Sequence, residues 1–281
     1  MRKMLTDSHV HITPPEVINN QKMYRRQDPY FDLLCGSPVH KNITGKQLIA
    51  YMDKVKIERT VVFGFAFKNN ELCRRVNDYT IKMVKKYDRR LIGFAVVNPR
   101  GKDVISELER CKEGGLQGVG ELFATGQEFK LTEKGVLAPV ANFCQDNNWP
   151  CLIHLNEPVG HEYRGKTADS LQEGIALAEN FPRVNFILAH LGGGLCFYEL
   201  MPEIRELLEN VYYDTAAIPF LYENRIYNTL KQVGVLDKIL LGTDYPLLGI
   251  EKYLAGIDNS ILSPREKAQL KGGNLKRLLN F

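Results

Sequence analysis

A chain of 281 residues with 44% hydrophobic and 25% charged side chains is sized and composed for one large globular domain. A net charge of +4, with its arginines in scattered pairs such as Arg74-Arg75 and Arg89-Arg90, argues against a nucleic-acid partner. No apolar run nears the roughly 18 to 20 residues of a membrane span, so no membrane association is expected. The six cysteines include no C-x-x-C pair, so neither a zinc knuckle nor a redox dithiol is suggested, and a reducing, cytoplasmic setting is expected. Asp7, Ser8 and His9 interrupt the N-terminal apolar stretch, so it does not read as a secretory leader.

Strands and helices alternate along the chain. "MLTDSHVHI" (4–12) reads as the first strand and carries two of the six histidines, His9 and His11. The segment 13–43 that follows reads as one long connection. Its Tyr24, Tyr30 and Phe31 argue against plain disorder, and a connection of that length suits a lid. "TGKQLIAYMDKVK" is a helix capped by Thr44, with Leu48, Met52 and Val55 on one side. Further strands are expected at 59–67, 91–98, 115–122, 150–156, 184–191, 211–217 and 238–245, rich in β-branched and aromatic residues. Helices are expected at 69–87, 103–113, 134–147, 167–180, 199–209 and 221–232. The last segment, 263–281, reads as two short helices broken at Gly272-Gly273.

Eight strands, each followed by a helix, predict an α/β fold: a closed (β/α)8 TIM barrel forming a single domain over 1–281. An open doubly wound sheet is the rival, but no G-x-G-x-x-G follows the first strand.

Side chains two apart on a strand face the same way. His9 and His11 can therefore both reach one metal ion, or can stand as two hydrogen-bonded core histidines. Their company favours the metal. Glu121, His154, His190 and Asp244 all fall at or near the C-terminal ends of predicted strands, where catalytic groups of barrels converge. His40 and His161 fall in loops, with a surface position expected for His161. Histidine and carboxylate ligands without thiolate suit Zn²⁺, Mn²⁺ or Fe²⁺, as one or two ions per chain. Of the three glycines in "LAHLGGG", a tight turn is the expected use and anion binding the alternative.

The order of "DSHVHI", "IHLN", "LAHLGGG", "LLGTDYP" and "GGNLKRLL" along essentially the whole chain resembles the amidohydrolase superfamily, in particular its amidohydrolase-2 branch. That branch includes metal-dependent hydrolases related to aminocarboxymuconate-semialdehyde decarboxylase. The resemblance implies metal ligation by His9, His11, His154 and Asp244. It implies that His190 either bonds water or substrate beside the metal or binds a second ion. Asp244 would also move the proton of metal-activated water. For Glu121 it leaves two roles open: a ligand bridging two ions, or a hydrogen-bonding partner of ligand or substrate.

The first expectation of activity is hydrolysis of an amide, cyclic amide or lactone by metal-activated water. There Asp244 handles the proton and His190 donates to the oxyanion. The alternative is a carboxy-lyase that decarboxylates an unsaturated or aromatic acid without oxidation, with Asp244 protonating the carbon that loses CO₂. Arg25, Arg26 and Arg164 are candidate cations for such a substrate, and Tyr24, Tyr30 and Phe31 candidate contacts from the lid. A non-enzymatic metal-binding module is the third class. The expected partner is a small molecule, and a homo-oligomer is compatible with the sequence.

Overall fold

A computed structural model describes residues 4–167 and 171–281. Eight parallel strands form two sheets: β1 (Thr6–His11), β2 (Arg59–Phe63) and β3 (Leu91–Gly93), then β4 (Val119–Leu122), β5 (Cys151–Ile153), β6 (Phe186–Leu188), β7 (Val211–Asp214) and β8 (Ile239–Leu240). Two seams join them. Ala95, just beyond β3, bridges Val119 of β4, and Val10 of β1 bridges Tyr245 beyond β8. The second seam is reinforced by backbone bonds Ser8 N–H to Leu241 O (2.8 Å), Asp244 N–H to His9 O (3.0 Å) and His11 N–H to Tyr245 O (2.9 Å). The ring is the expected TIM barrel.

Every expected strand is present, but shorter, because the predicted ranges ran past the ladder into the loops at the strand ends. Period-two alternation sorts their side chains. Val61, Phe63, Ile92, Phe94, Leu152, Ile187 and Leu240 form one buried cluster. Their sequence neighbours Val62, Leu91, Cys151, Ile153, Phe186 and Leu188 pack instead with helix residues such as Leu48, Leu108 and Leu177. Thr44 caps the helix Gly45–Val55 through a complete capping box with Gln47. The Gly242 position allows β8 to approach β1: a Cβ there would come within 2.8 Å of both the Ser8 hydroxyl and the His9 Cβ.

Four expectations are corrected. The 13–43 connection is not one irregular loop; it holds helices Pro15–Asn19, Gln21–Gln27 and Pro29–Cys35. Pro15 and Pro29 sit where a helix start needs no N–H, and Asp28 caps the third by accepting from the Phe31 N–H. The 199–209 helix shortens to Pro202–Leu207, and 221–232 to Ile226–Val233. A further helix, Ile250–Asp258, was not anticipated. The helix expected over 167–180 is seen as Leu171–Asn180; residues 168–170 lie outside the described residues. The C-terminal segment breaks at Gly272 as expected. Among the described residues no helix is long and apolar enough to cross a membrane.

Candidate active site

The inward positions at the C-terminal ends of the strands carry the polar residues. Val10 and Ile12 of the β1 region pack outward with the helices, so His9 and His11 face the barrel axis. His9 is fully buried, and the ring of Phe63 meets both imidazoles edge-on at 5.0 and 4.8 Å. His154 lies two residues beyond the inward Leu152. Glu121 comes from β4, His190 from just beyond β6, and Asp244 from just beyond β8. His190 and Asp244 hold left-handed backbone, φ 57° and 59°. Such conformations persist where the surroundings enforce them.

All six groups converge. His9, His11 and Asp244 offer ligand atoms within 4.8 Å of one another, and so do Glu121, His154 and His190. The Nε2 atoms of His9 and His11 are 3.3 Å apart; Asp244 Oδ1 lies 3.7 and 3.4 Å from them. Glu121 spans both groups. Its Oε2 is 3.5 Å from His9 Nε2 and 3.4 Å from His11 Nε2, while its Oε1 is 2.8 Å from His154 Nδ1 and 3.9 Å from His190 Nε2. Tetrahedral ligands held about 2.1 Å from one zinc ion stand roughly 3.4 Å apart. The donor chemistry and these spacings both fit a divalent transition metal.

The electrostatics follow from the crowding. Burial alone would lower His9, but the carboxylates of Asp214 and Glu121 hold it well above its ordinary value. His11 is raised against its burial by hydrogen bonding to Asp244 and Glu121. Burial opposes ionisation of both acids, yet the facing imidazoles hold Glu121 well below the carboxylate range and Asp244 down to about 2. His190 is lowered, by burial first and then by the neighbouring His154. The His190 Nδ1 lies 2.8 Å from the carbonyl oxygen of Ala216. A carbonyl only accepts, so Nδ1 carries the proton and Nε2 of the neutral ring has none. This corrects the expected oxyanion-donor role: toward the cluster, His190 can ligate or accept.

Above this floor lies a cavity of about 410 Å³. Its aromatic wall includes Tyr30, Phe31, Phe65 and Phe123. Phe31 sits 5.0 Å from Phe65, and Tyr30 4.3 Å from Phe123, between ring centroids. Thr13, Val17, Tyr30, Phe31, His40 and Asn42 bring the 13–43 segment over the floor. The Tyr30 hydroxyl ties it to the carbonyl of Gly165 in the loop after β5. Arg164 and His161, both exposed, line the opening; for His161 this joins the expected surface position to the mouth. Tyr24 and Arg25 do not line the cavity. Tyr24 is buried on Phe67 with its hydroxyl on Glu16, and Arg25 pairs with Asp32. The turn of Gln21–Gln27 thus places Tyr24 in the packing behind the cavity and Arg25 toward solvent. The glycines after His190 make the expected tight turn, with φ of 61°, 60° and 95° at Gly192, Gly193 and Gly194. A Cβ at Gly193 would lie 2.2 Å from the Asn156 carbonyl.

Among the buried acids with no expected role, one touches a side chain of the cluster. Asp214 ends β7, and its carboxylate lies 2.8 Å from His9 Nδ1. The strand-terminal position in "VYYDTAA" was its only signal.

A parallel eight-stranded barrel with histidines and carboxylates gathered at its C-terminal mouth defines a TIM-barrel protein with a candidate metal centre. Residues 6–281 match the amidohydrolase family model, and the chain belongs to that family, in its amidohydrolase-2 branch. A gamma-resorcylate decarboxylase of Polaromonas sp. is 25% identical over 255 residues, covering 75% of this chain and 77% of that protein. The structure of 5-carboxyvanillate decarboxylase from Sphingomonas paucimobilis superimposes with a TM-score of 0.80 at 15% identity, over 100% of both chains. A dihydroxybenzoic acid decarboxylase from Polaromonas sp., solved with manganese and the inhibitor 2-nitroresorcinol, gives a TM-score of 0.74 at 18% identity, over 99% of this chain and 97% of that one.

Proposed function

We propose that this protein is a divalent-metal-dependent decarboxylase of a hydroxylated aromatic carboxylic acid. The observation that carries the reading is the cavity: aromatic walls close over a floor of imidazoles and carboxylates, in a volume suited to a monocyclic acid. The named relatives are decarboxylases. They support the expected alternative, decarboxylation, over hydrolysis of an amide, cyclic amide or lactone.

His9, His11 and Asp244 would hold the ion, with Glu121 facing it. Manganese, present in a relative, or zinc suits these donors. When bound, the ion would supply positive charge that holds an anionic substrate and stabilises negative charge on its oxygens. Phe31, Phe65 and Phe123 orient the ring and keep water from the reacting carbon. Asp244, ionised because His11 and His9 face it, accepts the proton of the phenolic hydroxyl and delivers it to the ring carbon that bears the carboxylate. The bond from that carbon to the carboxyl group breaks, and its electron pair returns to the ring. CO₂ leaves, and the phenolate product regains its proton from water.

The test is turnover of manganese-loaded protein on dihydroxybenzoates and 5-carboxyvanillate in D₂O. Release of CO₂ with one deuterium at the vacated carbon is expected. Asp244→Asn should slow it by about 10²- to 10⁴-fold. Hydrolysis of lactones or amides with no CO₂ from any aromatic acid would overturn the reading.

A further inference from the structure

Asp214 is fully buried, and both its carboxylate oxygens are engaged. Oδ1 accepts from the backbone N–H groups of His190 (3.0 Å) and Ala216 (2.9 Å), and Oδ2 lies 2.8 Å from His9 Nδ1. Two residues on, the Ala216 carbonyl meets His190 Nδ1. A single turn, 214–216, therefore touches the Nδ1 atom of one histidine in each of the two ligand groups.

We propose that Asp214 is a positioning residue that locks His9 in its Nδ1–H tautomer, so that this turn presents the Nε2 lone pairs of His9 and His190 to the metal cluster. The proposal rests on the reading of that cluster as a divalent-metal site. A carboxylate, like a carbonyl, only accepts, so the proton shared with His9 belongs to the ring at Nδ1. In the neutral ring that a metal requires, Nε2 is then the bare nitrogen, and it is Nε2 that stands 3.3 Å from His11 Nε2. Imidazole ligates only through an unprotonated nitrogen, and its other nitrogen sets which one that is.

A merely structural role, bracing the left-handed turn at His190, makes a different prediction for Asp214→Asn. The two backbone N–H groups keep the amide oxygen at the Oδ1 position. The amide nitrogen must then face His9 Nδ1 as a donor. His9 becomes the acceptor there and carries its proton on Nε2, aimed at the ion. Bracing survives this change, whereas ligation through Nε2 then costs the hydrogen bond at Nδ1.

The experiment is zinc titration of metal-stripped wild-type and Asp214→Asn protein by calorimetry, with melting temperature and circular dichroism as the check on folding. The variant is expected to fold and to bind zinc about 10- to 100-fold more weakly. In zinc-loaded wild type labelled with ¹⁵N-histidine, His9 should show a protonated Nδ1 and a coordinated Nε2. That spectrum needs no variant, so it decides the matter even if Asp214→Asn fails to fold. Equal affinity in the folded variant, or zinc on His9 Nδ1, would overturn the role of Asp214 alone. Wild-type protein that binds no zinc or manganese would overturn the metal reading and this proposal with it.

Discussion

The floor and the roof of the cavity are built by different physics. On the floor, each side chain leaves the end of a barrel strand or the turn just past it and meets partners from distant parts of the chain. His9 alone touches Phe63, Glu121, Asp214 and Asp244. The roof is three helices of five to seven residues, too short to be stable alone. Aromatic packing and the Tyr30 tie to Gly165 fasten it. A rigid floor holds reacting groups to the tolerance chemistry needs, whereas a lightly fastened roof can admit and release substrate. We propose that the 13–43 segment is such a lid.

Breaking the floor should have the largest effect. His11→Ala removes a proposed ligand whose imidazole is partly open to the cavity, so the fold should survive. Loss of an outer partner of a ligand costs about 10- to 100-fold in metal affinity, and loss of the ligand itself should exceed that. Elemental analysis should find the variant without metal and turnover absent. Glu121→Gln comes next. If Glu121 bridges two ions, calorimetric titration should fall from two equivalents to one; a single equivalent in both proteins makes Glu121 a hydrogen-bonding frame.

Acidity probes the same floor. His9 and His11 are held above the ordinary histidine value of 6.5 in the metal-free protein, so protons compete with metal there. Metal affinity should climb as pH rises through those raised values. Folding stability of the metal-free protein takes its sign from each group. The contribution of the raised histidines is complete below about 6.5 and is lost as pH rises through their folded values. Asp244, held down to about 2 from 3.8, contributes above 3.8 and loses that contribution as pH falls toward 2. Urea midpoints of stripped protein should therefore fall on acidification from about pH 4 to 2, and less so in Asp244→Asn.

The same contrast explains what could be read from the sequence. Strand-end residues of the floor were legible because β periodicity is local: His9 and His11 share a face whatever the rest of the chain does. Asp214 was not, because its partner His9 lies 205 residues away and a lone strand-end acid has no pattern. The donor role given to His190 failed for a similar reason. Its tautomer is decided by the Ala216 carbonyl, 26 residues away. In the roof, Asp28-Pro29 was a readable helix start that the length of the segment obscured. Which of its aromatics face the cavity was not readable. Tyr24 and Phe31 are both almost fully buried, but only tertiary packing places Phe31 on the cavity and Tyr24 behind it.

Loosening the roof should leave metal content alone. Tyr30→Phe keeps the ring against Phe123 and deletes the bond to the Gly165 carbonyl. A single hydrogen bond of this kind contributes about 0.5–1.5 kcal/mol. Metal analysis should be unchanged, KM should rise a few-fold, and protease cleavage within 13–43 should quicken. Unchanged cleavage would show that the aromatic contacts, with the Lys68 N–H bond to Asp28 and the Arg75–Glu16 pair, hold the segment down without it.

The smallest effect separates two arginines. Arg164 lines the cavity opening, so its loss should raise KM for an acidic substrate several-fold with little change in kcat. Arg25 lies in the roof itself, yet its guanidinium pairs with Asp32, and both side chains are more than a third exposed. Exposed pairs of this kind contribute about 0–1 kcal/mol. Arg25→Ala should therefore leave KM unchanged and shift stability by no more than about 0.5 kcal/mol. If the two variants raised KM equally, Arg25 would have to turn inward when substrate binds. Its pair with Asp32 would then break, and the roof would rearrange around the ligand rather than hinge over it as a unit. An unchanged KM in Arg25→Ala beside a raised one in Arg164→Ala means that the cavity wall seen in the structure is the wall the substrate meets.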